Sequence, residues 1–443
     1  MPASATTVPV LPAIALNVET IPLPNPGRLI PFLDAAAPLL WMRNGDGIAG
    51  IGTALRMEFT GESRILDAAA AWRDVVAGAT VHDPIGLPGS GLAAFGAFSF
   101  SASSAASSVL IVPKTIIGRR GGTSWLTRIT VADRAAERAA NNETVPTGPG
   151  RGAGKTSRPE AAMPRPRPLG DEYRIHLRPG ALDPAGYRSI VARAIDRIDS
   201  GQVSKVVLAR DLVGHLPREC DLRRVLADLA VGYPACWTYS VDGLIGASPE
   251  TLVRVAHGSM DARVLAGTIS RGSDAGDDHD AANTLLNSGK DQQEHHFAVQ
   301  SVLDALRPHC AKLTASPAPF TLKLPNLWHL ATDVAGTLDD GSTSLDLVNA
   351  LHPTAAVAGT PTPEAIALIE ELEPFDRGRY AGPVGWIGAD GDGEWAVALR
   401  SAQVCGNGDI GAFAGCGIVA GSDPERELTE TAMKFRPVVE AFG

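Results

Sequence analysis

Gly415-Cys416-Gly417-Ile418-Val419, then Ser422-Asp423-Pro424-Glu425-Arg426-Glu427-Leu428-Thr429-Glu430-Thr431-Ala432-Met433-Lys434-Phe435, reads as a strand end with a glycine-rich turn, followed by a helix. Ser422 or Asp423 suits the N-cap, Pro424 suits the first turn, and Ser422 with Glu425 fits a capping box. Glu427, Glu430 and Lys434 recur at spacings of three and four, so they share one helix face. Leu428, Phe435 and Val439 are placed to meet a core. Two carboxylates and an ammonium beside a glycine-rich turn can hold a hard cation together with an anion. The plainer alternative is a solvated charged face.

Working outward, the 443 residues suffice for about two or three average domains or one large one. With 44% hydrophobic and 20% charged residues, the composition is that of a globular protein. A net charge of −10 speaks against a general nucleic-acid binder, which needs a basic surface. An anionic small substrate stays open, because a bound cation overrides net charge locally. Cys220, Cys236, Cys310, Cys405 and Cys416 are odd in number and lack metal-site spacing, which fits free thiols in a reducing, cytoplasmic compartment. The N-terminus is interrupted by Pro9, Pro12, Pro22, Pro24 and Pro26 and makes a poor signal peptide. No run of apolar residues is long enough for a transmembrane helix, so no membrane partner is expected.

The sharpest composition shift is the Gly/Pro/Arg-rich segment 144–170, which reads as a loop or linker between 1–143 and 171–443. Gly154-Lys155-Thr156 imitates the end of a phosphate-binding loop, but Pro149 stands where that motif needs glycine, and no strand precedes it. Strands are expected at 91–100, 108–112, 203–209, 237–241, 251–255, 383–388, 394–404 and 409–414. Helices are expected at 184–200, over one long stretch 281–306, and from Thr362. The mixture lacks strict βαβ alternation and implies an α+β architecture with large antiparallel sheets.

Several other positions carry candidate chemistry. Lys205, in a strand whose two faces both look buried, would be desolvated enough to serve as a general base; a strand lysine reaching solvent along its stem is the alternative. Glu250 follows Ser248-Pro249 at a turn and can act as a general acid if apolar walls raise its pKa; otherwise it caps nearby backbone. Asp291 and Glu294 lie one helical turn apart. With Glu427 and Glu430 they give four carboxylates from two helices, a donor set suited to Mg²⁺. The adjacent His295 and His296 point in different directions and make a poor zinc pair. Arg400 shares a strand face with Ala396, Ala398 and Ala402, where its fork can take a carboxylate or an internal ion pair. The Gly415-Cys416-Gly417 turn can bring backbone N–H groups to an anion.

The runs Lys205-Val206-Val207-Leu208-Ala209-Arg210, Gly246-Ala247-Ser248-Pro249-Glu250, Leu265-Ala266-Gly267-Thr268, Lys290-Asp291-Gln292-Gln293-Glu294-His295 and the 415–434 segment resemble the chorismate-utilising enzymes. That family includes isochorismate, salicylate, anthranilate and aminodeoxychorismate synthases. The resemblance covers residue 177 to the C-terminus, and residues before the linker match weakly. It implies a single large α+β unit of two packed antiparallel sheets flanked by helices, with both halves of the chain included and the linker a surface insertion. Anthranilate synthases carry a glutamine-type residue in place of Lys205. Aminodeoxychorismate synthases carry a lysine in place of Ala266. The stretch Leu351-His352-Pro353-Thr354-Ala355-Ala356-Val357-Ala358-Gly359-Thr360-Pro361 looks like that of isochorismate synthases. Cys416 departs from the alanine common there.

By resemblance, the chain is an isomerase converting chorismate to isochorismate, most often a monomer, serving menaquinone or siderophore biosynthesis. Lys205 would activate water for attack at ring C2, and Glu250 would protonate the C4 hydroxyl as it leaves. Mg²⁺ on Glu294, Glu430, Glu427 and Asp291 would bind the ring carboxylate, assisted by Lys434 and the backbone of Gly415 and Gly417. Arg400 and Tyr380 would hold the enolpyruvyl carboxylate, with Gly267, Thr268 and His329 lining the ring site. The alternative is a salicylate synthase, which goes on to eliminate pyruvate. A non-catalytic anion-binding relative would lack the acid, the base or the metal residues.

Overall fold

The computed structural model describes residues 15–132, 163–323 and 327–443, apart from the side chains of Lys290 and Glu294. Residues 144–162 of the expected linker lie outside the described residues. The remainder, 163–170, has no regular structure and is held by Arg167 N–H to the Pro31 carbonyl (2.8 Å) and Gly170 N–H to Asp221 Oδ2 (2.7 Å).

Among the described residues the strands form two large sheets. The first runs, in spatial order, Arg178–Pro179, Lys205–His215, Asp409–Ile418, Ser401–Val404, Leu244–Ser248, Trp237–Val241, Leu39–Arg43, Asp46–Ile51, Thr115–Arg120, Thr123–Val131, Leu16–Pro22 and Thr80–His82, with Gly359–Thr360 also paired to Lys205–His215. The second runs Cys310–Ala315, Leu327–Leu338, Ser259–Ser270, Thr251–Ala256, Gly393–Val397, Pro383–Gly388, Ala93–Ala97, Ser108–Val112 and Leu55–Phe59, with Phe320–Lys323 on Leu327–Leu338. Pairing is antiparallel except between Leu16–Pro22 and Thr80–His82. Strands from before the linker sit inside both ladders: Met42 opposes Thr238, and Ala97 opposes Val384. The apolar inner faces, with Trp41, Trp237, Phe95, Trp386 and Trp395, join in one core cluster. The architecture is the expected α+β one.

Local chemistry explains most elements. Helix Pro184–Asp199 starts at an Asp183 cap whose carboxylate accepts Gly186 N–H, and it buries Ile190, Val191, Ala194 and Ile198. Strand Lys205–His215 buries Val206, Leu208 and Ala209 fully and Val207 nearly so, as expected of a strand covered on both faces. No described helix is long and apolar enough to cross a membrane.

The structure corrects five local expectations. The long helix 281–306 is two helices, Ala275–Asn287 and Gly289–Leu306, because Ser288 is extended and its hydroxyl caps Asp291 N–H (3.3 Å). The strand 394–404 is also two pieces, Gly393–Val397 in one sheet and Ser401–Val404 in the other, so Arg400 does not share a continuous strand face with Ala396. Gly415-Cys416-Gly417 is not a turn. It lies inside strand Asp409–Ile418, where Gly415, Cys416 and Gly417 oppose Ala209, Leu208 and Val207. Glycine is a poor strand former, and the partner strand supplies the order its own side chains do not. The Ser422–Glu425 capping box does not form on the last helix, Pro424–Phe442: Asp423, the second of the two N-cap candidates, accepts Glu425 and Arg426 N–H, and Ser422 Oγ accepts Val419 N–H (3.1 Å). On that helix Val438 is buried, whereas Val439 is 38% exposed.

Candidate active site

A cavity of about 240 Å³ collects residues from both sheets and from the helices at Gly289 and Pro424. Lys205, Glu250, Gly267, Thr268, Asp291, His329, Tyr380, Arg400, Gly415, Gly417, Glu427, Glu430 and Lys434 all line it. Glu294 lies one turn beyond Asp291 on helix Gly289–Leu306, and its side chain lies outside the described residues.

The acid end is built where the chain changes sheets. Pro249-Glu250 bridges strand Leu244–Ser248 of one sheet and Thr251–Ala256 of the other, and 398–400 makes the return passage from Val397 to Ser401. The crossovers run side by side. The Ser248 hydroxyl donates to the Val397 carbonyl (2.6 Å), Val397 N–H to the Glu250 carbonyl (3.1 Å), and Ala247 N–H to the Arg400 carbonyl (3.2 Å). Arg400 turns the corner with φ +51°, a left-handed conformation unusual for arginine. Glu250 is buried, and that burial raises its carboxyl to about 7 against the pull of Arg400, Lys205 and Lys434. A carboxyl at that value is part protonated at neutral pH and can give a proton away.

Lys205 opens its strand opposite Thr360 and reaches the cavity beside Gly417. A Cβ at Gly417 would stand 2.8 Å from Lys205 Cε, so the missing side chain there makes room for the lysine. Lys205 is half-buried, between the buried and solvent-reaching alternatives.

On the last helix, Lys434 donates from Nζ to the Gly415 carbonyl (2.9 Å) and pairs with Glu430 Oε1 (2.6 Å). Burial alone would lower the Lys434 pKa, but the Cys416 and Glu430 groups beside it reverse the direction. Burial would raise Glu430, but the Lys434 ammonium holds it below the ordinary value. Glu427 is raised, first by burial and then by the Glu430 charge. Ligand atoms of Cys416, Glu427 and Glu430 all lie within 4.8 Å of one another.

Across the cavity, the ladder between Ser259–Ser270 and Leu327–Leu338 shifts register at Gly267 (φ +80°). A Cβ there would stand 3.3 Å from Asp291 Cβ, so the bulge lets the helix bring Asp291 close. Beyond it, Thr268 Oγ1 and His329 Nδ1 are hydrogen-bonded at 2.9 Å. Burial drops the His329 pKa to about 3, so this imidazole is a neutral polar wall. His295 is instead a core histidine, held between the Ala266 carbonyl and Thr332 Oγ1 (2.7 Å). Tyr380 is buried and stacks on Phe413 (5.4 Å).

One structural group went unread in the sequence. Arg377 lines the cavity and is fully enclosed, with Glu373 as its ion-pair partner (2.6 Å). It donates to the Val207 (2.7 Å) and Val357 (3.0 Å) carbonyls, while Glu373 Oε1 accepts Ala209 N–H (2.7 Å). The pair therefore ties the Lys205 strand to the 352–358 stretch. The four-residue spacing of Glu373 and Arg377 was the available signal.

The residues suit a magnesium ion. Oxygen donors dominate, the half-buried Glu427 and Glu430 crowd each other, and Asp291 lines the same cavity.

A family model described as chorismate binding enzyme matches residues 35–443. The isochorismate synthase DhbC of Bacillus subtilis is 39% identical over 283 residues, 61% of this chain and 71% of that protein. The isochorismate synthase EntC of Escherichia coli K12 is 37% identical over 262 residues, 58% of this chain and 67% of that protein. The solved structure of MenF, the menaquinone-specific isochorismate synthase of Escherichia coli, superposes with a TM-score of 0.74 at 25% identity, over 97% of this chain and 96% of that one.

Proposed function

The chain belongs to the chorismate-binding enzymes, and from that premise we propose that it is an isochorismate synthase, an isomerase that exchanges the ring hydroxyl of chorismate between C4 and C2. The observation that carries this reading is Glu250, a buried carboxyl raised to about 7 in the same cavity as Lys205.

Lys205 takes a proton from water while the water oxygen bonds to C2. Both ring double bonds shift, from C1=C2 and C5=C6 to C1=C6 and C4=C5, the C4–O bond breaks, and Glu250 passes its proton to the departing hydroxyl, which leaves as water. One water enters and one leaves, so the sum is an isomerisation. Lys205 ends protonated and Glu250 ionised, and exchange with solvent restores both. Running backwards, the two groups swap roles.

Arg400 and Tyr380 provide a cation and a hydroxyl for the enolpyruvyl carboxylate, and the Arg400 fork favours a planar carboxylate. Neutral His329, fixed by Thr268, borders the ring without adding charge. Lys434 balances one of the carboxylates on the last helix. Glu427, Glu430, Asp291 and Glu294 would hold Mg²⁺, which supplies positive charge for the ring carboxylate.

Incubation with chorismate and Mg²⁺, followed by product analysis, tests the reading. Isochorismate alone is expected. Salicylate with pyruvate would instead assign the chain as a salicylate synthase, and absence of turnover would remove the catalytic reading.

A further inference from the structure

A second cavity, of about 320 Å³, lies between the sheets and shares no lining residue with the first. Arg43, Arg120 and Trp237 line it from one sheet, and Arg254, Asp261 and Glu394 from the other. Among the described residues, five buried side-chain polar atoms have no hydrogen-bond partner, and three of them are the Nε atoms of Arg43, Arg120 and Arg254. Donors left unmade in a buried place are unfavourable, and all three belong to arginines that line this one cavity.

The carboxylates present do not fill that need. Glu394 is occupied by Trp41 Nε1 (3.0 Å), Trp386 Nε1 (3.2 Å) and both terminal nitrogens of Arg120 (2.9 and 3.0 Å). Arg254 Nε stands 3.3 Å from Glu394 without hydrogen-bond geometry, and Arg254 reaches Asp261 only at 3.9 Å. Asp46 serves Arg119 (3.3 Å) and Gly121 N–H (2.9 Å). The Arg43 guanidinium makes no hydrogen bond or ion pair with a described residue; its neighbour is the Trp237 ring, 5.2 Å away.

We infer that this cavity is a second ligand site, taking a small planar monocarboxylate whose oxygens accept from Arg43 and whose body lies along Trp237. A guanidinium fork matches a carboxylate in shape. The lining carboxylates of Asp46, Asp261 and Glu394 set the charge limit, since a dianion such as phosphate would meet them across the same space.

Calorimetric titration of the full chain with benzoate, and separately with inorganic phosphate, tests the site. R400Q serves as the control for the first cavity. Benzoate is expected to bind the wild type and R400Q alike, and to weaken by at least about tenfold in R43Q. R43K, which keeps the charge and loses the fork, should weaken too. Removing a half-buried cation that has no ion-pair partner among the described residues should leave the unliganded melting temperature of R43Q no lower than wild type. Three results would overturn the inference: no benzoate binding at millimolar concentration, binding lost in R400Q but kept in both Arg43 variants, or a site that takes phosphate in preference. A clear fall in the R43Q melting temperature would make Arg43 a structural residue and would also overturn it.

Discussion

The Val397 N–H donates to the Glu250 carbonyl at 3.1 Å, joining the two places where the chain steps from one sheet to the other. Glu250 is thereby fixed in a buried corner beside Arg400, and burial governs its protonation.

That corner predicts a pH dependence. Folding raises the Glu250 pKa from 4.5 to about 7, so the folded state holds this proton more tightly than the unfolded chain. The resulting stability is fully present below pH 4.5 and is lost as pH rises through about 7, by about 3 kcal/mol in all. Turnover of chorismate, with Glu250 as the proposed acid, should fall over the same upper limb. Glu250→Gln should abolish turnover and flatten that stability slope in urea titrations at several pH values. A variant that keeps the slope would show that another group titrates.

Gly417→Ala separates positioning from folding. The new Cβ would meet only the mobile end of Lys205, at 2.8 Å from Cε, so the lysine must move. We expect kcat to fall severely while the melting temperature changes little. Unaltered kcat would contradict Lys205 as the base.

Glu427→Gln and Glu430→Gln should each raise the Mg²⁺ concentration needed for half-maximal turnover and weaken Mg²⁺ binding measured directly by calorimetry. Unchanged metal titrations in both variants would remove them as ligands. Glu430→Gln also deprives Lys434 of its partner, so it should be the less stable of the two.

Arg377→Leu leaves the enclosed Glu373 carboxylate without its counter-ion and should destabilise by about 3–5 kcal/mol in denaturant titration. Replacing both members by apolar residues should recover part of that loss. A single variant as stable as wild type would mean that water reaches the pair.

Legibility followed how local the governing interactions are. The expected bounds of strands Ser108–Val112, Trp237–Val241 and Pro383–Gly388 are the observed ones, because each is a short apolar run between turn residues. The breaks at Ser288 and Arg400 carry no such local mark. Ser288 interrupts an otherwise helical pattern through one hydroxyl cap, and Arg400 turns in the left-handed region although its neighbours suit a strand. Val439 is expected to meet the core and is instead exposed, while its neighbour Val438 is buried, on a helix that contains Pro437.

Sequence alone determined which groups are available and which of them travel together: Glu427, Glu430 and Lys434 share a face because helical spacing dictates it. Only the tertiary structure decided that Ser248 and Val397, 149 residues apart, touch, and so that Glu250 and Arg400 line one cavity with Lys205. Such meetings depend on strand order and on where the chain changes sheets, and neither leaves a mark in the pattern of neighbouring residues. Their effect on chemistry comes from desolvation, which exists only once both sheets have closed over the site.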